Sequence, residues 1–277
     1  MTTLDTETPP YPAAAAETRP ATAFFDTRLA RLLTGLFSVA LGLVIWEMLS
    51  WRFQPLFLPS PRLTFYAVGE LWEDGTLLQS IGASLARIMA GWSLGLVIGI
   101  PIGMVMGYFS FVRRLLDPYV EFFRFIPPIA FVTLAVIWLG PGEASKVALI
   151  LYTTIFIVTI NTITGVQAVE EDKIRSARSM GASEWQIMGH VIIPASLPYI
   201  FTGAKLAMGS SFMAIVGAEM VAANEGIGYM IWNSRLYFKT DWIFVGLLVL
   251  GLMGFLMDRV FNQLGKVALK RYNVVKK

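Results

Sequence analysis

The sequence has no cysteine and a single histidine, His190, among its 277 residues. Disulfides and thiolate metal sites are therefore excluded, and redox compartment is unreadable. One imidazole with no partner pattern around it supports neither a histidine metal site nor a Ser-His-Asp triad, so His190 is read as a loop or interfacial side chain. Charge is scarce as well: 15% of the residues are Asp, Glu, Lys or Arg, against about 25% in soluble domains. A chain so poor in charge cannot face water all round. The Lys and Arg residues present are neither clustered nor interleaved with aromatics, which excludes a nucleic-acid surface. Nothing reads G-x-x-x-x-G-K-[ST], so the chain has no phosphate-cradling loop for a nucleotide.

What it has in abundance is apolar sequence: 56% hydrophobic residues and a mean hydropathy of +0.63. The 24 Gly and 14 Pro are spread through apolar segments, as membrane helices tolerate. Crossing the hydrocarbon core takes about 20 apolar residues. Six segments qualify: 32–51, 84–108, 120–139, 146–167, 197–222 and 241–262. The expected fold is all-α and integral to a membrane, because unpaired backbone is not tolerated in lipid and the segments are too long for barrel strands. Residues 62–80, opened by Pro61, predict a loosely amphipathic surface helix. Residues 1–30, rich in Thr, Pro and Ala, are expected to form a disordered tail. No small-residue cleavage site follows the first apolar run, so the first span is expected to stay as an anchor. The membrane domain is placed at 31–265 and a basic tail at 266–277.

Lys and Arg set the orientation. With the N-terminus inside, six spans return the C-terminus inside, and fifteen cations (Arg19, Arg28, Arg31, Arg113, Arg114, Arg124, Lys173, Arg175, Arg178, Arg259, Lys266, Lys270, Arg271, Lys276 and Lys277) fall inside against five outside. Trp51, Trp138, Trp232 and Trp242 then lie at the outer ends of spans, as an aromatic belt requires. Both termini are thus expected in the cytoplasm.

The second span carries Gly91, Gly95, Gly99, Gly103 and Gly107, a ladder at four-residue spacing. Missing side chains let a neighbouring backbone approach closely. Packing within the chain is the favoured reading, with contact to another subunit as the other. A four-residue step advances about 400°, so the stripe drifts around a straight helix unless Pro101 bends the path.

The most informative stretch is polar. Residues 168–196 form a loop between two apolar runs, with Glu170, Glu171 and Asp172 opening a short helix over Lys173–Met180. Gly181 ends that helix. Ser183 with Gln186 is a capping-box pattern opening a second short helix through Val191, which Pro194 and Pro198 are expected to stop. Ala182, Ser183, Glu184 and Trp185 occupy the tip, and Trp185 is a candidate anchor in a partner's cleft.

This loop resembles the EAA loop of bacterial ABC-importer permeases, which reads Glu-Ala-Ala, three residues, Gly, nine residues, Ile-x-Leu-Pro. Ala177, Gly181, Val191 and Pro194 fall at that spacing, while Arg175 and Ser176 replace the first two letters and Ile193 the Leu. Phe57-Leu58-Pro59-Ser60-Pro61, Ser84-Leu85-Ala86-Arg87, Asp117-Pro118 with Pro127-Pro128, and Ala218-Glu219 with Gly226-Ile227-Gly228 resemble the nitrate/sulfonate/taurine branch, over roughly residues 55–265. The resemblance implies a six-helix type I importer permease in a bacterial inner membrane. Its partners would be a second permease copy, two ATPase subunits, an extracytoplasmic solute-binding protein and membrane lipid. It implies no catalytic residue and no cofactor in this chain, ATP and Mg²⁺ being held by the ATPase. It also makes Arg175, Ala177, Gly181, Ala182, Ser183, Glu184, Trp185 and Pro194 the residues that couple to that ATPase.

Charges in the spans are read as structural first. Glu47 and Arg87 are placed near outer ends, Arg124 and Lys205 near inner ends, where all four can snorkel. Arg124, Ser210, Ser211, Met213 and Glu219 are the candidates to line a translocation path, although spacing alone does not choose the helix face. The expected function is passage of a small sulfonate-, taurine- or nitrate-like anion. Bicarbonate, aromatic acids and vitamin precursors are the alternatives within the branch. An ion-driven secondary transporter is the rival class, and it would show midplane carboxylates or broken helices in matched repeats.

Overall fold

The computed structural model describes residues 28–268. The two expected tails lie outside these residues, apart from 28–30 and 266–268, which are helical. The chain divides into two units, Met1–Arg52 and Phe53–Lys277. The first holds α1 (Arg28–Ser50), which is long and apolar enough to cross a membrane.

The second unit, over its described residues, is entirely helical. It contains α2 (Pro61–Glu73), α3 (Thr76–Tyr108), α4 (Ser110–Phe123), a 3₁₀ turn at Pro128–Phe131, α5 (Val132–Leu139) and α6 (Glu143–Gln167). After these come α7 (Glu171–Ser179), α8 (Glu184–Ile187), α9 (Ile193–Ala222), α10 (Ile227–Leu236) and α11 (Thr240–Ala268). Ser60 caps α2, its side chain accepting from the Leu63 N–H, and Pro61 takes the first helical position, where a missing N–H removes no intrahelical bond. The surface helix expected over 62–80 is in fact two elements. Asp74 and Gly75 break it, with Gly75 at φ +79° and the Asp74 carboxylate accepting the Thr76 N–H at 2.8 Å. A left-handed Asp-Gly turn outweighs the loose amphipathic pattern.

α6 lies between α3 and α9. The glycine ladder is the seam with α6: a Cβ on Gly91 would sit 2.5 Å from Ile150 Cβ, on Gly95 2.5 Å from Thr154 Cβ, on Gly103 2.6 Å from Thr162 Cβ, and on Gly107 2.6 Å from Val166 Cβ. Those partners also step by about four residues, so both stripes turn together and one helix serves all of them. Close approach lets Thr159 donate to the Gly99 carbonyl at 3.2 Å and Trp92 Nε1 to the Ala204 carbonyl of α9 at 2.9 Å. Such interhelical hydrogen bonds hold membrane helices together where no hydrophobic gradient does. Ile88, Ile150, Met208, Phe212, Ile215 and Ile227 make the central core.

Two expectations about continuity are corrected. Residues 120–139 do not form one span: α4 ends at Phe123, and the segment Pro128–Leu139 leaves it at 89°. Pro127 and Pro128 each remove a backbone donor and restrict the residue before them, which forbids a straight helix there. Among the described residues five helices are long and apolar enough to cross, or six if the bent pair counts as one broken span. Conversely, Pro194 and Pro198 do not stop a helix. The chain is helical without interruption from Glu184 to Ala222, passing through a π-helical turn at Met188–Ile192. Widening the turn just ahead of Pro194 makes room for its ring and takes up the lost N–H bond.

Candidate functional site

Three places concentrate polar chemistry: the hairpin at 170–194, the charge cluster around Arg87, and the break between α4 and α5.

In the hairpin, α7 ends in a Schellman motif. Gly181, at φ +81°, donates to the Arg178 carbonyl at 2.9 Å, and Ala182 donates to the Ala177 carbonyl at 3.1 Å. A capping box follows at once: the Ser183 N–H meets Gln186 Oε1 at 2.8 Å, and the Gln186 N–H meets Ser183 Oγ at 3.3 Å. The two devices leave only Met180–Ser183 between the helices, so the turn direction is fixed. Arg178 then clamps the far side, bonding both Glu184 carboxylate oxygens at 2.9 and 3.1 Å, while Tyr108 at the end of α3 donates to the same carboxylate. The underside, Ala177, Ile187 and Ile192, is buried against Met104, Val166 and Ile200. The outward side presents Met180 at 81% and Trp185 at 86% exposure, an unusual position for two large apolar side chains unless a surface covers them.

Arg175, which stands where the resembled loop has Glu, is exposed and paired within its own helix to Glu171 at 2.7 Å. Ala177 is buried and supports the hairpin from below rather than lining its outer face. Pro194 is half-buried and borders an open groove of about 610 Å³ together with Lys173, Met180, His190 and Pro198. His190 is exposed, its Nδ1 3.1 Å from the Gln186 carbonyl.

The second cluster is built on Arg87, 3% exposed. Its guanidinium pairs with both Glu143 oxygens (2.5 and 2.8 Å), with Glu219 (2.8 Å) and with the Glu225 carboxylate (3.4 Å), and donates to the Glu225 carbonyl (2.8 Å). Glu219, fully buried, also accepts from Ser84 Oγ and from the Gly228 N–H, both at 2.8 Å. Lys146 completes the set at 2.8 Å from Glu143. A side chain at Gly226 (φ +116°) would run into the Glu219 carboxylate at 2.4 Å, which accounts for the glycines at 226 and 228: the chain wraps the anion with bare backbone. Four segments, α3, α6, α9 and the loop before α10, are tied by one guanidinium.

The break lies elsewhere. Arg124 is exposed and its guanidinium stands 4.6 Å from the centre of the Phe125 ring. Tyr152 of α6 donates to the Phe123 carbonyl, which also accepts the Ile126 N–H at 3.1 Å in the turn that follows α4. A cavity of about 350 Å³ opens beside it, lined by Arg124, Phe125, Thr153, Phe156 and Ile160 among others. These α6 residues lie near the middle of that helix, so Arg124 stands level with the middle of α6. Lys205 pairs with Asp258 of α11 at 2.9 Å and with Asn262 at 2.7 Å.

The remaining path candidates are split. Ser211 is fully buried, bonding the Ala207 carbonyl at 2.8 Å and facing Thr154 at 3.3 Å, and Glu219 belongs to the Arg87 cluster. Ser210 is half-buried and Met213 is 82% exposed on the opposite side of α9. Sequence reasoning missed Tyr152, Glu143 and Glu225, and named Glu219 without pairing it to Arg87. The i, i+3 spacing of Ser84 and Arg87 places them on one helix face and was the one available sign of that cluster.

Residues 95–273 match the family described as binding-protein-dependent transport system inner membrane component. The taurine transport system permease protein TauC of Escherichia coli is 38% identical over 84% of this chain and 86% of its own. The nitrate import permease protein NrtB of Synechocystis is 33% identical over 80% of this chain and 84% of its own. Among solved structures, the inward-facing MetNI methionine ABC transporter aligns with a TM-score of 0.64 at 17% identity, covering 70% of this chain and 97% of that one. The structural likeness carries the fold alone.

Proposed function

The chain belongs to the binding-protein-dependent transport system inner membrane components, as the permease subunit of an ABC importer, and we propose that the solute it carries is a small anion, a sulfonate or an oxyanion such as nitrate. Relatives named for taurine and nitrate support that reading. The observation that carries the coupling half is the hairpin: its Schellman turn, capping box and buried underside hold it rigid on the bundle while Met180 and Trp185 face out. A rigid lever with an aromatic tip transmits a partner's movement, whereas a flexible loop would absorb it. Arg175, Gly181, Ala182, Ser183, Glu184 and Trp185 make the docking tip, with Ala177 and Pro194 supporting it. Two ATPase subunits hold ATP and Mg²⁺ and press on this tip from the cytoplasm, so both termini of the permease lie on that side. A second copy of the chain completes the path, and a solute-binding protein delivers the anion from outside.

Reconstitution into liposomes with the ATPase and the binding protein tests the reading: uptake requires ATP and binding protein together. Uptake that runs on an ion gradient without ATP overturns it. Trp185→Asp and Gly181→Pro are expected to abolish co-purification of the ATPase while the permease still inserts. Full retention of the ATPase by both variants removes the coupling role from this hairpin.

A further inference from the structure

Arg87 and Lys205 each meet a carboxylate within 3 Å. Arg124 meets none among the described residues, its partner being the Phe125 ring. An unneutralised guanidinium at the bilayer centre costs about 2.5–3.5 kcal/mol on insertion scales and is found facing protein or a water-filled cavity. Beside it lies backbone that is not helical, at Arg124–Pro127, and such backbone is tolerated at membrane depth only where protein or water surrounds it. Both constraints point to the same environment at the same place: protein or water and not lipid, next to the cavity of about 350 Å³. Tyr152 keeps the break in shape by holding the Phe123 carbonyl, with the Ile126 carbonyl 3.4 Å from the same hydroxyl. Phe125, 74% exposed, gives the guanidinium an aromatic neighbour and leaves its N–H edge free.

We propose that Arg124 is the residue of the translocation path that contacts the passing anion, held at the helix break by Tyr152. The proposal rests on the reading of the solute as an anion. A planar guanidinium offers two parallel N–H donors to a sulfonate or nitrate, replacing hydration that the anion gives up inside the membrane. Cation–ring contact in place of a carboxylate leaves the site strong enough to receive an anion and weak enough to release it.

The test uses the complete importer in liposomes, with taurine, ethanesulfonate, nitrate and bicarbonate as probes. If the wild-type complex accumulates none of them, the anion reading itself fails. With a probe that is accumulated, Arg124→Gln is expected to lower uptake by about tenfold or more, while ATPase activity stimulated by the loaded binding protein persists. Equal uptake by Arg124→Gln and wild type overturns the proposal. The absence of cysteine from this chain allows a second arm that does not depend on that variant folding well. Arg124→Cys, assembled and then treated with an aminoethyl methanethiosulfonate, regains a cation and is expected to regain uptake several-fold, whereas the sulfonatoethyl reagent is not. Equal effects of the two reagents, corrected for the treated wild-type complex, also overturn the proposal.

Discussion

Arg87 and Arg124 are the same residue type in the same membrane domain, and their surroundings are opposite. Arg87 is 3% exposed and surrounded by three carboxylates, two backbone-bearing glycines and a serine. Arg124 is exposed at a helix break with an aromatic ring for company. The first guanidinium is saturated and joins four segments, so nothing passing by can compete for it. The second has unused donors and stands beside a cavity. Within one permease, a structural cation is recognised by the carboxylates around it and a working one by their absence.

The sharpest way to break this comparison is the same substitution at both sites. Arg87→Gln leaves Glu219 fully buried with its cation gone, and loss of one partner from a buried pair costs about 3–5 kcal/mol. The variant is expected to lose most folded protein in detergent extracts, seen as a collapsed size-exclusion peak and a lower melting temperature. Arg124→Gln, which orphans no buried charge, is expected to change stability by under about 0.5 kcal/mol. If the two variants melt alike, the distinction drawn between the sites is wrong.

Much of this was legible beforehand. Apolar runs of span length gave the helices, and Gly181, Ser183 and Gln186 gave the hairpin, because capping chemistry is local and acts through residues three or four apart. Pairing across the bundle was not legible. Glu143, Glu219 and Glu225 lie on different segments and reach Arg87 only after α3, α6 and α9 assemble. The place of Arg124 beside the middle of α6 was not legible because a bend at Pro127-Pro128 turns the chain aside, and a hydropathy run counts residues without seeing direction. The π turn before Pro194 was hidden for the reverse reason: the proline reads as a stop, while the strain it causes is taken up in the preceding turn.

A smaller effect sharpens how Arg87 is held. Gly91 lies one turn below it, and a side chain there would strike Ile150 Cβ at 2.5 Å and the Val147 carbonyl at 2.8 Å. Gly91→Leu forces α3 off α6 where Arg87 reaches Glu143, and overpacking of this kind costs about 1–3 kcal/mol. Because both changes act on one contact, Gly91→Leu and Glu143→Gln are expected to be non-additive by at least about 0.5 kcal/mol. Strict additivity in a double-mutant cycle of melting stabilities means the glycine seam and the charge cluster are independent.

The smallest effect separates shape from charge at the other site. Tyr152→Phe removes only the hydroxyl that ties α6 to the Phe123 carbonyl, and one such hydrogen bond is worth about 0.5–1.5 kcal/mol net. Arg124 keeps its charge and its ring, so a pure charge effect predicts unchanged uptake. If the hydroxyl instead fixes where the guanidinium points, uptake falls by a few-fold while binding-protein-stimulated ATPase activity stays level, and Arg124→Gln on top adds little. That pattern would place Tyr152 and Arg124 in one unit, whereas multiplying losses would make the tyrosine a support of the fold and leave Arg124 to act alone.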